Sequence, residues 1–169
     1  MQLVLVESPY AGEVEENEAY ARAAMRDCLQ RGEAPLASHL LYTQPGVLDD
    51  RIAHDRELGI RAGLLWGEKA DKTVVYVDRG MSQGMERGIE SALKSGRPVE
   101  FRRMLGLAEQ AEGVTLCEGD LVRFGAGRLF KVDSLDPDGE RLSLRPIEGG
   151  ACWGGIRREH VELLARRAQ

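Results

Sequence analysis

Two carboxylates, Asp78 and Glu86, flank a loop that also carries Gly80, Ser82 and Gly84. A carboxylate so placed can orient a substrate, move a proton, or attack an anomeric carbon as a nucleophile, as in retaining sugar-transfer chemistry. Helix N-terminal amides would keep Glu86 ionised. The plainer reading is that Glu86 caps its helix. A second chemically suggestive stretch is Ser8-Pro9-Tyr10-Ala11-Gly12. Its small residues and proline let backbone approach a ligand, and Ser8, Pro9, Tyr10 and Gly12 become candidate binding residues. An ordinary turn explains the same composition. His39 is a lone histidine expected at or near a strand end facing the same place, with a structural role as the alternative.

The elements around these residues place them together. Thr73 to Val77 is a short β-branched run bounded by polar residues, the mark of a strand buried on both faces. Apolar positions Met85, Ile89, Ala92 and Leu93 then give a helical stripe, Ser95-Gly96-Arg97-Pro98 ends it, and Val99-Glu100-Phe101 begins another strand. Gln2 to Val6 reads as the first strand, Glu13 to Arg31 as a helix stopped by Gly32, Ala34 to Leu41 as holding a second short strand, and 50–68 as a helix. In that last helix Leu58, Ala62, Leu65 and Trp66 are expected to line one side. Gly59 and Gly63 permit close approach, by core packing or by a subunit interface. Strands alternating with helices predict an α/β, doubly wound, parallel four-stranded sheet in the order 2-1-3-4. The switch point then lies between strands 1 and 3, beside both loops, where ligands bind in such sheets.

After Arg103 the pattern changes. We read residues 1–103 as the α/β domain, 104–113 as a linker, and 114–169 as a small antiparallel β-barrel. Gly119–Phe124 and Arg128–Val132 alternate around a Gly125-Ala126-Gly127 turn. Asp136-Pro137-Asp138-Gly139 turns again, and Arg141–Pro146 and His160–Leu164 complete the set. Trp153 and Phe124 are expected in its core, a binding aromatic being the alternative.

Composition narrows the function. The 169-residue chain has a net charge of -5, and neither part is basic: residues 1–105 carry 14 Lys/Arg and 17 Asp/Glu, the rest 9 and 11. General nucleic-acid binding therefore lacks electrostatic support in the first domain and stays open for the barrel. Three widely spaced cysteines, Cys28, Cys117 and Cys152, give no disulfide framework and no zinc site. Leu3 to Val6 is too short for a signal peptide or membrane span, so a cytoplasmic setting is expected, with no metal and no cofactor. No Gly-Lys-Ser/Thr phosphate loop, Gly-x-Ser-x-Gly elbow or Gly-x-Gly-x-x-Gly after the first strand is present.

Three places resemble the nucleoside 2-deoxyribosyltransferase superfamily, which includes the deoxynucleoside monophosphate N-hydrolases. They are Ser8-Pro9-Tyr10 after the first strand, Ala70-Asp71 leading into the third strand with its terminal Asp78, and Ser82-x-Gly84-x-Glu86-x-Gly88 followed by Gly96-Arg97-Pro98. His39-Leu40-Leu41-Tyr42-Thr43-Gln44 is similar to a bacterial and phage branch of that superfamily. The resemblance implies that Glu86 attacks C1′ of a deoxynucleoside or its monophosphate, that Asp78 orients it or assists proton transfer, and that Ser82, Gly84 and the first loop hold the sugar 5′ end. It also implies a homo-oligomer. The family's acid in the helix before strand 3 has no match at Ile60–Gly63, and Asp55 and Glu57 lie a turn or more earlier. The C-terminal strands resemble Tudor or KOW small barrels in architecture. A binding module that holds a nucleotide-derived ligand without turnover, coupled to the barrel, is the alternative.

Overall fold

The computed structural model describes residues 1–104, 115–125 and 127–167. The chain divides into two compact units: Met1–Tyr76 with Ser82–Met104, and Val77–Met81 with Leu105–Gln169.

In the first unit, β1 (Leu3–Glu7), β2 (Ala34–Leu36), β3 (Lys72–Tyr76) and β4 (Val99–Arg102) form a parallel sheet in the expected order, β2-β1-β3-β4. The β-branched run in β3 is buried on both faces, with Val74, Val75 and Tyr76 fully inaccessible. Helix α1 (Val14–Gln30) lays its small residues Ala21, Ala24 and Cys28 on Val4, Val6, Val74 and Tyr76. Small side chains on that stripe let the helix axis come close to the sheet. Helix α4 (Gln83–Lys94) buries Met85, Ile89 and Ala92 of the expected stripe together with Gly88, and leaves Leu93 half-buried.

The second strand is shorter than the sequence suggests. It stops at Leu36, and Ser38–Tyr42 forms a short helix, α2, whose Leu40 and Leu41 amides donate to the Ala37 carbonyl. Pro35 already removes one donor from the strand, and Leu40 gains burial in the core by turning inward. His39 therefore sits on a helix, not at a strand end.

Helix α3 (Ala53–Gly67) also departs from expectation. Leu58, Leu65 and Trp66 are exposed, and the packed face is Gly59, Gly63 and Gly67. Both glycines of the proposed subunit interface pack inside the chain, Gly59 on Leu48 and Tyr42, Gly63 on Ser38. A methyl at Gly63 would lie 2.5 Å from Ser38 Oγ, whereas one at Gly59 would lie 3.3 Å from Leu48 Cδ1. Overpacking costs about 1–3 kcal/mol, and the gain in helix propensity is about 1 kcal/mol. Gly63→Ala is accordingly expected to lower unfolding stability by about 1 kcal/mol and Gly59→Ala to be near neutral or stabilising. Denaturant titration of the two variants tests this, and equal midpoints would contradict the packing account.

A buried polar cluster ties the α1–β2 corner to β3 and β4. Arg102 grips Glu33 through two nitrogens, each at 2.7 Å, and Lys72 reaches the same carboxylate at 2.7 Å. The Arg102 hydrogen bonds hold Glu33 down to a pKa of about 2.

In the second unit, β5 (Leu121–Phe124), β6 (Arg128–Leu135), β7 (Arg141–Pro146), β8 (Trp153–Arg157) and β9 (Val161–Ala165) make an antiparallel sheet in the order β8-β7-β6-β5-β9. Leu116, Val122, Phe130, Val132, Leu142 and Leu144 form its core. The expected turn closes with Gly139 N–H donating to Asp136 O, Gly139 at φ 71°. Trp153 is not core. It is 40% exposed, packs against Phe130 and Phe124, and carries the Arg128 guanidinium 5.1 Å over its ring. The Val77–Met81 segment belongs with these strands: Met81 N–H donates to the Arg166 carbonyl at 2.7 Å. Ala126 of the expected glycine turn, and all but Met104 of the expected linker, lie outside the described residues.

Candidate functional site

At the carboxyl end of β1 a cavity of about 100 Å³ opens in the first unit. β1 contributes Glu7 and the following loop Ser8, Tyr10 and Ala11. α2 contributes Ser38 and His39, α3 contributes Asp55, Gly59 and Gly63, and the start of α4 contributes Ser82, Gly84, Met85 and Gly88. An adjoining cleft of about 910 Å³ shares Tyr10, Thr43, Asp50, Asp55 and Arg56 and adds Gly12 and Asp49. The pair is an inner chamber with a wide vestibule, located where the strand order reverses, as the switch-point rule requires.

Local structure fixes the walls. Asn17, buried on α1, donates to the carbonyls of Tyr10 and Ala11 at 3.1 and 2.9 Å, which clamps the first loop. Ser8 Oγ and His39 Nε2 share a hydrogen bond of 2.9 Å, and the Tyr10 ring meets the His39 ring edge-on at 6.1 Å. Burial lowers the His39 pKa to about 4, so the imidazole is neutral at neutral pH. Ser82 is the N-cap of α4, accepting from Met85 N–H at 3.4 Å. Its cap role leaves the first amides of α4 at the chamber wall, where Gly84 keeps the backbone accessible. Asp55 accepts the Asp49 amide at 3.1 Å, and Arg56 pairs with Asp50 at 2.7 Å.

Glu7 is the side chain that sequence reasoning missed. It ends β1 and lines the chamber, and burial raises its pKa to about 8 against a smaller opposing pull from Arg97. A Cβ on Gly88 would fall inside the Glu7 carboxyl, so only glycine at that position of α4 leaves it room. The readable signal was a carboxylate directly continuing a buried apolar strand, two residues after Leu5 and hence on the same sheet face.

Of the expected site residues, Ser8, Tyr10, His39, Ser82 and Gly84 line the chamber and Gly12 lines the vestibule. Pro9 is buried between its neighbours and lines neither. Glu86, half-buried in the first turn of α4, follows the lining residue Met85 but is not itself among the lining residues. It is also not the cap, since Ser82 is. Asp78 lies in the Val77–Met81 segment grouped with the C-terminal strands and lines neither cavity. Ile60–Gly63 carries no acid, and Asp55, from the first turn of the same helix, faces both cavities. Glu57 instead faces Arg87, bound through two nitrogens at 2.9 Å. Among the described residues no group of three or more His, Cys, Asp or Glu could hold a metal ion, and no helix is long and apolar enough to cross a membrane.

The profile of a family described as "Domain of unknown function (DUF7768)" matches residues 2–102, the span that builds both cavities. The chain belongs to this DUF7768 family. A structural relative of the DUF7768 unit is a 2-deoxyribosyltransferase from the psychrotolerant bacterium Bacillus psychrosaccharolyticus. It is 16% identical, with a TM-score of 0.50 over 62% of this chain and 74% of that one. At that identity the likeness establishes a shared α/β fold for the DUF7768 domain. No curated protein matches the sequence.

Proposed function

We propose that the DUF7768 domain processes the N-glycosidic bond of a nucleoside or nucleotide held across the chamber and vestibule. The observation that carries this reading is the chamber itself. It sits at the switch point of a deoxyribosyltransferase-like sheet, is walled by the N-terminus of α4, and contains carboxylic acids from two other elements, Glu7 and Asp55. Amides at the start of α4 suit a 5′-hydroxyl or phosphate, and the vestibule has room for the rest of the nucleoside. Glu86 is the nucleophile in this reading. Its carboxylate oxygen bonds to C1′, the C1′–N bond breaks toward the base, and water or a second base then displaces the glutamate. Because Met85 lines the chamber and Glu86 does not, a side-chain rotation on ligand entry is required.

That same position of Glu86 favours a second reading, in which the domain holds a nucleotide-derived ligand without turnover and acts as a binding or regulatory module. One experiment separates them. The full chain is incubated with a panel of deoxynucleosides and their 5′-monophosphates, free base is quantified by mass spectrometry, and ligand-dependent melting is recorded in parallel. Base release is expected. A raised melting point without release selects the binding module, and neither effect would eliminate both readings.

A further inference from the structure

Within the N-glycosidic reading on which it rests, we propose that Glu7 is the proton donor to the departing base. No glycosyl transfer proceeds readily from an unactivated nucleoside unless the leaving nitrogen is protonated as the C1′–N bond lengthens. The donor must sit in the chamber, away from bulk water, carry its proton at neutral pH, and tolerate the negative charge that it acquires.

Glu7 meets each requirement by its placement. Its carboxyl projects from the end of β1 into the chamber and rests on the bare Cα of Gly88. Burial there keeps it protonated through neutral pH, the behaviour of acids placed in apolar clefts to act as proton donors. Arg97, from the turn between α4 and β4, is electrostatically coupled to it. Arg97 is itself buried, donates to Thr73 Oγ1 and Ser95 Oγ, and has an Nη2 with no hydrogen-bond partner among the described residues. A buried guanidinium with spare donor capacity beside a neutral acid stabilises the carboxylate that forms only after proton transfer. The other ionisable groups facing the chamber are Tyr10 from the first loop, His39 and Tyr42 from α2, Asp55 and Arg56 from α3, and Asp50 from the loop before it. His39 is neutral and committed to Ser8, while Asp50 and Asp55 are engaged by Arg56 and the Asp49 amide. Glu7 alone among these acids has no such engagement.

The proton balance closes. Glu7 gives its proton to the base nitrogen as the C1′–N electron pair moves there. The resulting Glu7 carboxylate takes a proton from the water, or from the incoming base, that displaces Glu86 from C1′, and the enzyme returns to its starting state.

The test compares wild type, Glu7→Gln and Glu7→Asp on two substrates, 2′-deoxyguanosine and N7-methyl-2′-deoxyguanosine, each also as its 5′-monophosphate. The methylated base leaves as a neutral molecule and needs no proton. Glu7→Gln is expected to slow guanine release by roughly 10²–10⁴-fold and N7-methylguanine release by less than about tenfold. Glu7→Asp is expected to restore part of the guanine rate. Wild-type kcat for guanine should fall as pH rises through about 8, a limb absent from the Glu7→Gln profile. Equal losses on both substrates, or an unchanged alkaline limb, would overturn the assignment while leaving the N-glycosidic reading intact. Wild type releasing neither base would overturn both.

Discussion

Glu86→Gln is expected to lower base release by about 10³–10⁶-fold while leaving the fold as stable as before. In the proposed reading the change removes the charge that would attack C1′ and keeps the side chain's shape, and losses of that size are typical when a covalent nucleophile is removed. It should fall on guanine and N7-methylguanine release alike, because no leaving-group activation replaces a missing nucleophile. That sets it apart from Glu7→Gln, whose defect the methylated base relieves. Stability offers an internal control. The residue capping α4 is Ser82, whose oxygen accepts the Met85 amide, so Glu86→Gln should cost well under about 1 kcal/mol, whereas Ser82→Ala should cost about 1 kcal/mol. Glu86 is half-buried and absent from the chamber wall, so the proposed role requires its side chain to turn inward toward substrate. Unchanged base release in Glu86→Gln would falsify the nucleophile assignment and leave the chamber acids Glu7 and Asp55 as the groups to explain turnover.

The sheet was legible because its strands obey one simple rule. Thr73–Val77 and Val4–Val6 are mostly apolar runs buried on both faces, and the α/β alternation leaves few topologies. The candidate site was most legible around two loops. Ser8 and Tyr10 lie in the loop after β1, Ser82 and Gly84 at the start of α4, both stretches marked by small residues, and the structure brings them to one chamber. What escaped depends on long-range packing. Leu58, Leu65 and Trp66 make a convincing hydrophobic stripe, yet α3 turns its glycines inward. A glycine face lets Ser38, Leu5 and Arg97 approach within contact distance, which no propensity scale records. His39 was misplaced for a related reason: the gain from burying Leu40 converts an apparent strand into a helical turn. Glu7 was passed over because a lone glutamate after a strand looks like ordinary punctuation. Its meaning arises from Gly88, distant in sequence, whose missing side chain makes the space that the carboxyl fills.

That space has a thermodynamic consequence that can be measured without any substrate. Glu7 has its pKa raised to about 8 in the folded chain from the ordinary value of 4.5, by burial. Between those two pH values the unfolded chain has released the proton and the native chain still holds it. The native state then binds more protons, so unfolding stability falls as pH rises from about 4.5 to about 8 and levels off above it. At 1.36 kcal/mol per pKa unit the contribution reaches roughly 3 kcal/mol by pH 7 and on the order of 5 kcal/mol above pH 8. Glu33 runs the other way at lower pH. Its value of about 2, set by Arg102, adds stability that is present above pH 4.5 and lost as pH falls toward 2, outside the Glu7 window. Glu7→Gln keeps the neutral shape and removes the titration. The variant is therefore expected to match wild type near pH 4.5 and to exceed it by about 3 kcal/mol at pH 7, several degrees in Tm for a chain of this size. Gly88→Ala supplies the converse, since its methyl group would displace the Glu7 carboxyl from its seat. That substitution should cost about 1–3 kcal/mol at pH 4.5, where the seated acid is neutral in the native chain, and less at pH 8, where expelling it toward solvent relieves the penalty. Denaturant unfolding of the three proteins from pH 4.5 to 9 decides the matter. If Glu7→Gln tracked wild type in parallel across that range, the carboxyl would be ionised in the native chain, and its assignment as a proton donor would fall with it.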